Sequence, residues 1–313
     1  SRILGHPTGA LSLYLRRANV GSPVTMRLRS LLFTMFLVGG ELCAQVPGTP
    51  APNGSLFVYW GYNRAGYSWS DIHFNGPDYD FTLRHVEAKD RPVTFTLEGY
   101  FKPQNIWLPQ YNYRVGWFLR DRWSISLGLD HLKYVMVQDQ SVRMDGYVES
   151  SRSVNYATGE ASQQVKLTND FLTYEHTDGL NLLSVDVEHY DGIWASANGR
   201  QRLHVFEGIH AGPMIPRSDV RLFGEGMNNV FHVAGVGVGA QLGLHFTFLD
   251  HFFFRATAKG SWVDLPSVLT TGTSDDRASQ HFWAYQGSFV FGGQFRLCVK
   301  KDAAPSNGTG ERP

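Results

Sequence analysis

One short stretch, Tyr174 to Asn181, carries the residue types that acid–base or acyl-transfer chemistry needs. On a regular strand Tyr174, His176 and Asp178 share one face, because side chains alternate with a period of two. A histidine beside a carboxylate combines a general base with the group that orients it. His176, Asp178 and the adjacent Glu175 are therefore the candidate catalytic residues. A structural hydrogen bond between His176 and Asp178 is the simpler interpretation, and we favour it.

The stretch from Val230 to Trp262 indicates the scaffold that must position these residues. In its first arm, apolar side chains from Val236 to Phe248 alternate with small or polar ones, and a second arm repeats the pattern after residues 249–251. Each arm is longer than a soluble strand of about 5 to 6 residues. A tilted transmembrane strand needs about 9 to 11 residues and has one lipid-facing side. The hairpin therefore predicts strands whose apolar face contacts lipid.

The rest of the chain supplies further strands of this kind. They are predicted at residues 55–64, 106–119, 123–137, 172–190 with a bulge at 178–179, 203–214 and 280–297. Long loops are predicted at 65–105, where a short strand at 79–86 is an alternative, and at 138–170, 216–229 and 266–279. Short turns at one end and long loops at the other are typical of outer-membrane barrels. The sequence predicts an all-β fold, a transmembrane antiparallel up-and-down barrel of about eight strands, ten being possible. Its long loops would be extracellular and its short turns periplasmic.

Over roughly Ser55 to Leu297 the chain resembles small outer-membrane β-barrel proteins of Gram-negative bacteria. That resemblance implies a cell outer-membrane location, contact with the bilayer and outer-membrane lipids, and insertion by the barrel-assembly machinery. The spacing of His176 and Asp178 is also similar to the His-x-Ser motif of outer-membrane lipid A deacylases. Asp178 stands where that family has its nucleophilic serine. This second resemblance implies a lipid-modifying enzyme.

Several charged residues fall on the inward faces of the predicted strands. Buried charges are costly unless they are paired, and side chains fill the interior of an eight-stranded barrel. Near-equal numbers of each sign therefore predict an ion-pair network that plugs the lumen. Its predicted members are Arg114, Asp130, Asp186, Glu188, Arg255, Lys259 and Arg296.

Composition and motif spacing argue against several partners. The 28 Lys and Arg residues balance 28 Asp and Glu residues, so no charge excess suggests nucleic acid. The pairs Asp71 with His73 and Asp130 with His131 fall short of the three or four spaced ligands of a transition-metal site. We therefore predict no metal and no cofactor, and the sequence names no external ligand.

Both ends of the chain are expected to lie outside the barrel. The apolar run Leu31 to Val38 follows two arginines and has the length of a secretory signal core. We assign residues 1–25 to an upstream extension, 26–44 to a signal peptide and 45–54 to a flexible lead-in. The barrel then spans 55–298, and 299–313 form a disordered polar tail. The mature protein should therefore begin at or near Gln45.

Two functional hypotheses follow. The first is a barrel with a plugged lumen that supports the envelope or binds a ligand through its extracellular loops. The alternative is a lipid A modifying enzyme of the deacylase or acyltransferase type that uses His176 with Asp178 or Glu175. A narrow solute channel ranks third, because about eight strands leave little free lumen.

Overall fold

The computed structural model describes residues 48–106, 108–158, 161–226 and 229–296. The predicted signal peptide, the upstream extension and the polar tail lie outside the described residues. In the described part of the chain, no helix is long and apolar enough to cross a membrane. In chain order the strands are β1 (Ser55–Tyr67), β2 (Ser70–Gly76), β3 (Tyr79–Val86), β4 (Ala88–Lys89), β5 (Tyr111–Arg120), β6 (Trp123–Met136), β7 (Ser141–Val148), β8 (Ser162–Lys166), β9 (Leu172–Ala195), β10 (Arg202–Pro216), β11 (Asp219–Leu222), β12 (Gly235–Phe248), β13 (Phe252–Leu269) and β14 (Arg277–Arg296); helix α1 (Leu97–Phe101) lies between β4 and β5.

Eight of these strands close into one antiparallel ring. The order is β1, β5, β6, β9, β10, β12, β13 and β14, and β14 pairs with β1. The predicted barrel and its strand number are thus confirmed. The β12–β13 hairpin keeps a regular register down to Phe248 opposite Phe252. Its turn holds Leu249 and Asp250 at φ values of 52° and 64°, in the left-handed region that tight hairpin connections use.

The outward faces of the ring carry a belt of exposed apolar side chains. Their sequence neighbours, such as Ser126 beside Leu127 and Arg255 beside Phe254, are buried inside the ring. A continuous apolar surface of this kind is unfavourable in water and suits the hydrocarbon of a bilayer. The belt includes Val58, Val115, Trp117, Leu127, Val185, Ile209, Val238, Leu244, Phe254, Phe289 and Phe291.

The long loops predicted at 65–105 and 138–170 are largely strands, so that part of the prediction is wrong. β2 pairs with the upper end of β14, and β3, β7 and β8 follow it in the sheet, while β11 pairs with β9. We call β2, β3, β4, β7, β8 and β11 the extracellular extension. Residues 79–86 form β3, in agreement with the alternative strand considered there. Residues 266–269 likewise continue β13, and Arg277 already begins β14.

The polarity of the interior reverses along the long strands. In β9 the inward residues Leu180 and Leu182 are apolar, whereas Asp186 and Glu188, further toward the periplasmic end, are charged. The apolar residues join a core that fills the extension, together with Phe74, Phe81, Tyr134, Met144, Phe171 and others. The extension is therefore built like a water-soluble sheet, with its polar face outside. The membrane part has the opposite arrangement.

The described residues just before β1 occupy the periplasmic mouth. The carbonyl of Pro50 accepts a hydrogen bond of 2.7 Å from Gln294 Nε2, and the Gly48 carbonyl lies 3.0 Å from His204 Nε2. Ala51 is fully buried there. Gly48, Pro50 and Ala51 thus contact the barrel within the predicted lead-in at 45–54, whose flexibility stays a prediction. Residues 45–47 lie outside the described part.

Helix α1 lies against the outer wall. Thr96 caps it by accepting a hydrogen bond of 2.9 Å from the Gly99 amide, which satisfies one of the free donors of the first turn. The Tyr100 ring packs on Tyr62 with 4.7 Å between centroids. After this segment β5 begins at Tyr111 and not at the predicted residue 106.

Candidate functional site

The lumen at membrane level contains a group of buried ion pairs. Arg114 on β5 reaches Asp130 on β6 at 2.9 Å and Asp186 on β9 at 3.0 Å. Lys259 on β13 contacts the same two carboxylates, at 2.7 Å and 3.5 Å. The cations alternate with the carboxylates, so each charge has an opposite neighbour. Such pairing offsets the desolvation of charges that water does not reach.

A second ion pair joins this group toward the periplasm. Arg255 Nη1 lies 3.0 Å from Glu188 Oε2, and Tyr190 donates a hydrogen bond of 2.6 Å to the same carboxylate. The amide of Gln241 donates to Glu188 at 2.7 Å and to Asp186 at 3.2 Å, which connects the two parts. We call Arg114, Asp130, Asp186, Glu188, Arg255 and Lys259 the lumen network.

Arg296, the seventh predicted member, is exposed at the periplasmic end of β14 and lies outside the network.

Glycines on the inward faces make room for these long side chains. A Cβ atom at Gly128 would lie 2.5 Å from Nη1 of Arg114 and 2.6 Å from its Cδ. A Cβ atom at Gly243 would lie 2.7 Å from the Phe206 ring, over which the Arg255 guanidinium stacks at 3.8 Å. The single glycines that alternate along these strands therefore provide space inside the lumen.

The lumen network lies between two apolar layers. On the periplasmic side, Phe57, Phe118 and Phe253 pack with ring centroids 5.3 to 6.4 Å apart. On the extracellular side, Leu182 and Phe282 belong to the core of the extension. Charged, aromatic and aliphatic layers thus succeed one another through the barrel.

His176 is fully buried in the core of the extension, and its partner is Ser218. Nδ1 of His176 lies 2.8 Å from the Ser218 hydroxyl, and the imidazole packs between Tyr134 and Tyr174. The predicted pair of His176 with Asp178 is absent. Gly179, at a φ of 138°, lies in the predicted bulge and redirects the chain just after Asp178.

The two candidate carboxylates lie on the outer surface. Asp178 is about half exposed and forms an ion pair of 3.3 Å with Arg217. Glu175 pairs at 2.9 Å with Arg91. Both line a cleft of about 500 Å³ on the outer wall, which we call the outer cleft. Its charged lining residues are Arg91, Lys133, Glu175, Asp178, Arg217 and Asp219.

A hydroxyl bonded to an imidazole is the arrangement of a nucleophile with its base. Ser218 was missed because it lies 42 residues from His176 and carries no local motif. In the described residues, Nε2 of His176 has no hydrogen-bond partner, so no carboxylate orients the ring. At 0% and 1% exposure the pair is also closed to a substrate. A second His–Ser contact, His210 with Ser261 at 2.9 Å in the lumen, shows that this chain uses such bonds to satisfy buried imidazoles.

The residues of the two sequence pairs considered as metal ligands are held by other partners. Asp71 pairs with Arg84 at 2.8 Å, and His73 with Asp80 at 3.0 Å. Partial burial raises the pKa of Asp71, but hydrogen bonds from Arg84 and from the His85 amide outweigh this and lower it below its ordinary value.

Asp130 belongs to the lumen network. His131 lies on the opposite face of β6, and its Nδ1 is 2.9 Å from Oδ1 of Asn181, at hydrogen-bond distance. Adjacent strand residues point to opposite sides of the wall, and this separates Asp130 from His131.

No family model and no curated protein matches the sequence. Similar solved structures include the outer membrane protein OprG from Pseudomonas aeruginosa, at 10% identity over 79% of this chain and 98% of OprG, with a TM-score of 0.36. The outer membrane protein AlkL is similar at 9% identity, over 85% of this chain and 100% of AlkL, with a TM-score of 0.34. The outer membrane protease OmpT from Escherichia coli is similar at 8% identity, over 80% of this chain and 99% of OmpT, with a TM-score of 0.25.

The deciding feature lies in the chain itself, where an eight-stranded antiparallel ring places its apolar side chains outside and its charges inside. The protein is a small transmembrane β-barrel. Its belt of apolar residues suits the hydrocarbon of a bilayer, and the extension stands beyond one end of the ring.

Proposed function

We propose that this outer-membrane barrel is a closed, non-enzymatic protein that supports the envelope and offers its extracellular extension for binding. The observation that carries the proposal is the lumen network, in which the charged groups bind one another across β5, β6, β9 and β13. Polar groups used in this way are not free to guide a solute. Apolar layers above and below the network close the same path.

The extension supplies the surface for an external ligand. The outer cleft is lined by both cations and carboxylates, which suits a polar ligand with donors and acceptors, such as the sugar of a surface glycolipid. As for other barrels of this kind, we expect outer-membrane lipids and the barrel-assembly machinery to be the remaining partners.

Complementation in the native host tests the proposal. A deletion strain should become more sensitive to detergents, and the wild-type gene should restore resistance. The variants His176→Ala and Ser218→Ala should restore it equally well, because the function does not depend on acyl-transfer chemistry. Failure of both variants, when each is folded and present at wild-type level, would contradict a non-enzymatic role.

The second candidate is a lipid A modifying enzyme, favoured by the 2.8 Å contact between His176 and Ser218. Mass analysis of lipid A from a host that expresses the protein tests this directly. A lost or gained acyl chain that disappears in His176→Ala and persists in the matched variant His210→Ala would establish the enzyme. We expect an unchanged lipid A mass, since the His176–Ser218 pair is closed to substrate.

A further inference from the structure

Three ionisable side chains interrupt the apolar outer wall near its periplasmic end. His189 and Asp191 lie on β9, and Glu207 lies on β10 directly opposite His189 in the register. The outward residues on either side of them, Val187 and Ile209, are apolar. A charge on the lipid face costs free energy, although the cost falls to about 0 to 1 kcal/mol near the interface. The position of the cluster is therefore tolerated, and its role must be inferred from its geometry.

The geometry of the cluster is that of a metal site. Nδ1 of His189 lies 3.0 Å from Oε1 of Glu207 and 3.6 Å from Oδ2 of Asp191. One ligand atom from each residue lies within 4.8 Å of the other two. Tetrahedral ligands around Zn²⁺, at bond lengths of about 2.0 to 2.2 Å, are about 3.4 Å apart. The two separations from Nδ1 of His189, 3.0 Å and 3.6 Å, lie on either side of that value.

Nδ1 of His189 faces one oxygen of each carboxylate, an arrangement that a positive group between the three atoms would stabilise. A protonated Nδ1 can donate a hydrogen bond to Oε1 of Glu207 at 3.0 Å, but Oδ2 of Asp191, at 3.6 Å, is too far away to accept one. A metal ion contacts all three atoms at once.

The ligands are also oriented from behind. Asp191 uses its other oxygen, Oδ1, to contact Arg122, which leaves Oδ2 directed at His189. The Trp123 ring packs against the imidazole with 4.8 Å between centroids. Supporting contacts of this kind fix ligand orientation in metal sites. Because both strands belong to the closed ring, the three donors are held in place before an ion arrives.

We propose that His189, Asp191 and Glu207 bind one divalent transition-metal ion of the Zn²⁺ class on the outer wall. The imidazole selects this class over Mg²⁺ and Ca²⁺, which prefer all-oxygen sites. The Glu207 side chain is 59% exposed, so an ion and its remaining water ligands can reach the site from solvent.

The test is a titration of the purified, detergent-solubilised protein with Zn²⁺ after treatment with a chelator. Calorimetry should show one Zn²⁺ per chain, and Ca²⁺ should not compete. His189→Ala should weaken binding by at least about 100-fold, more than the loss of a supporting contact does. Glu207→Gln should also weaken it at least about tenfold while keeping the shape of the side chain.

His73→Ala is the matched control. His73 pairs with Asp80 at the same 3.0 Å on the exposed surface, and in the described residues no third ligand joins them. This variant should bind Zn²⁺ as the wild type does. Circular dichroism confirms that each variant is folded. Equal Zn²⁺ affinity in wild type, His189→Ala and Glu207→Gln, or an equal loss in His73→Ala, would overturn the proposal.

Discussion

At the scale of single residues, the same side-chain types have opposite roles on the two sides of the wall. Arg255 is buried in the lumen and paired, whereas the adjacent Phe254 is exposed to lipid. The free-energy cost of a substitution therefore depends more on whether the side chain faces the lumen or the lipid than on the residue type introduced.

The lipid face offers the first prediction. Phe291 points outward and Ser288 inward on β14. Phe291→Arg should destabilise the barrel by about 2 to 4 kcal/mol at the depth of the bilayer midplane, and Ser288→Asn should cost clearly less, because its site already accepts a polar group. Refolding titrations into lipid vesicles measure both. Equal costs would mean that the inside and outside faces are wrongly assigned.

The lumen network offers the second prediction. Arg255→Met leaves Glu188 buried without its cation, and breaking a buried pair in this way costs about 3 to 5 kcal/mol. Arg84→Met, which removes a half-exposed cation from the extension, should cost about 1 kcal/mol or less. Urea unfolding in vesicles compares the two variants. Similar losses for both would indicate that the lumen is hydrated and the network weak.

At the scale of elements, the sequence predicted the ring strands well and the extension poorly. Strands such as β12 and β13 alternate strongly over 14 and 18 residues, so their period was clear. β2 and β3 have only 7 and 8 residues, and their apolar side faces inward, the reverse of the membrane part. A search for lipid-facing strands therefore reads them as loops.

The candidate site shows a similar division. Alternation along the strands was enough to predict that the six members of the lumen network face the lumen, because side chains alternate between the two faces of a regular strand. His176 was placed inward for the same reason, yet its partner was not found. The bond to Ser218 joins two distant segments, and the bulge at Gly179 separates Asp178 from the inward face. Neither effect has a local signature.

The third prediction concerns the pH dependence of the extension. Hydrogen bonds from Arg84 lower the pKa of Asp145, and Arg84 with the His85 amide lowers that of Asp71, both from an ordinary value of 3.8. A carboxyl group whose pKa is lower in the folded state stabilises the fold fully at pH values above its pKa in the unfolded state. This contribution is lost as the pH falls through the pKa of the folded state. Hydrogen exchange in β2, β3 and β7 should accelerate below about pH 4 more than exchange in the ring. Arg84→Met should remove this difference. An identical pH profile in the variant would contradict the assignment.

At the scale of the whole molecule, the interior of the barrel consists of successive layers. Gly48, Pro50 and Ala51 contact its periplasmic end, aromatic rings follow, then the lumen network, then the core of the extension. The charged layer is held by ion pairs, and the apolar layers are held by packing. This layering supports our proposal that the molecule is closed to transport through its centre and binds through its outer surfaces.

Planar-bilayer recording tests this central claim most directly. The purified protein should insert without producing large, steady conductance, because the paired charges and the apolar layers exclude ions from the lumen. Recordings of Arg255→Met, in which the network is opened, provide the comparison and should show brief, small currents at most. Large and steady conductance from the wild-type protein would contradict the closed barrel and would identify it as a channel.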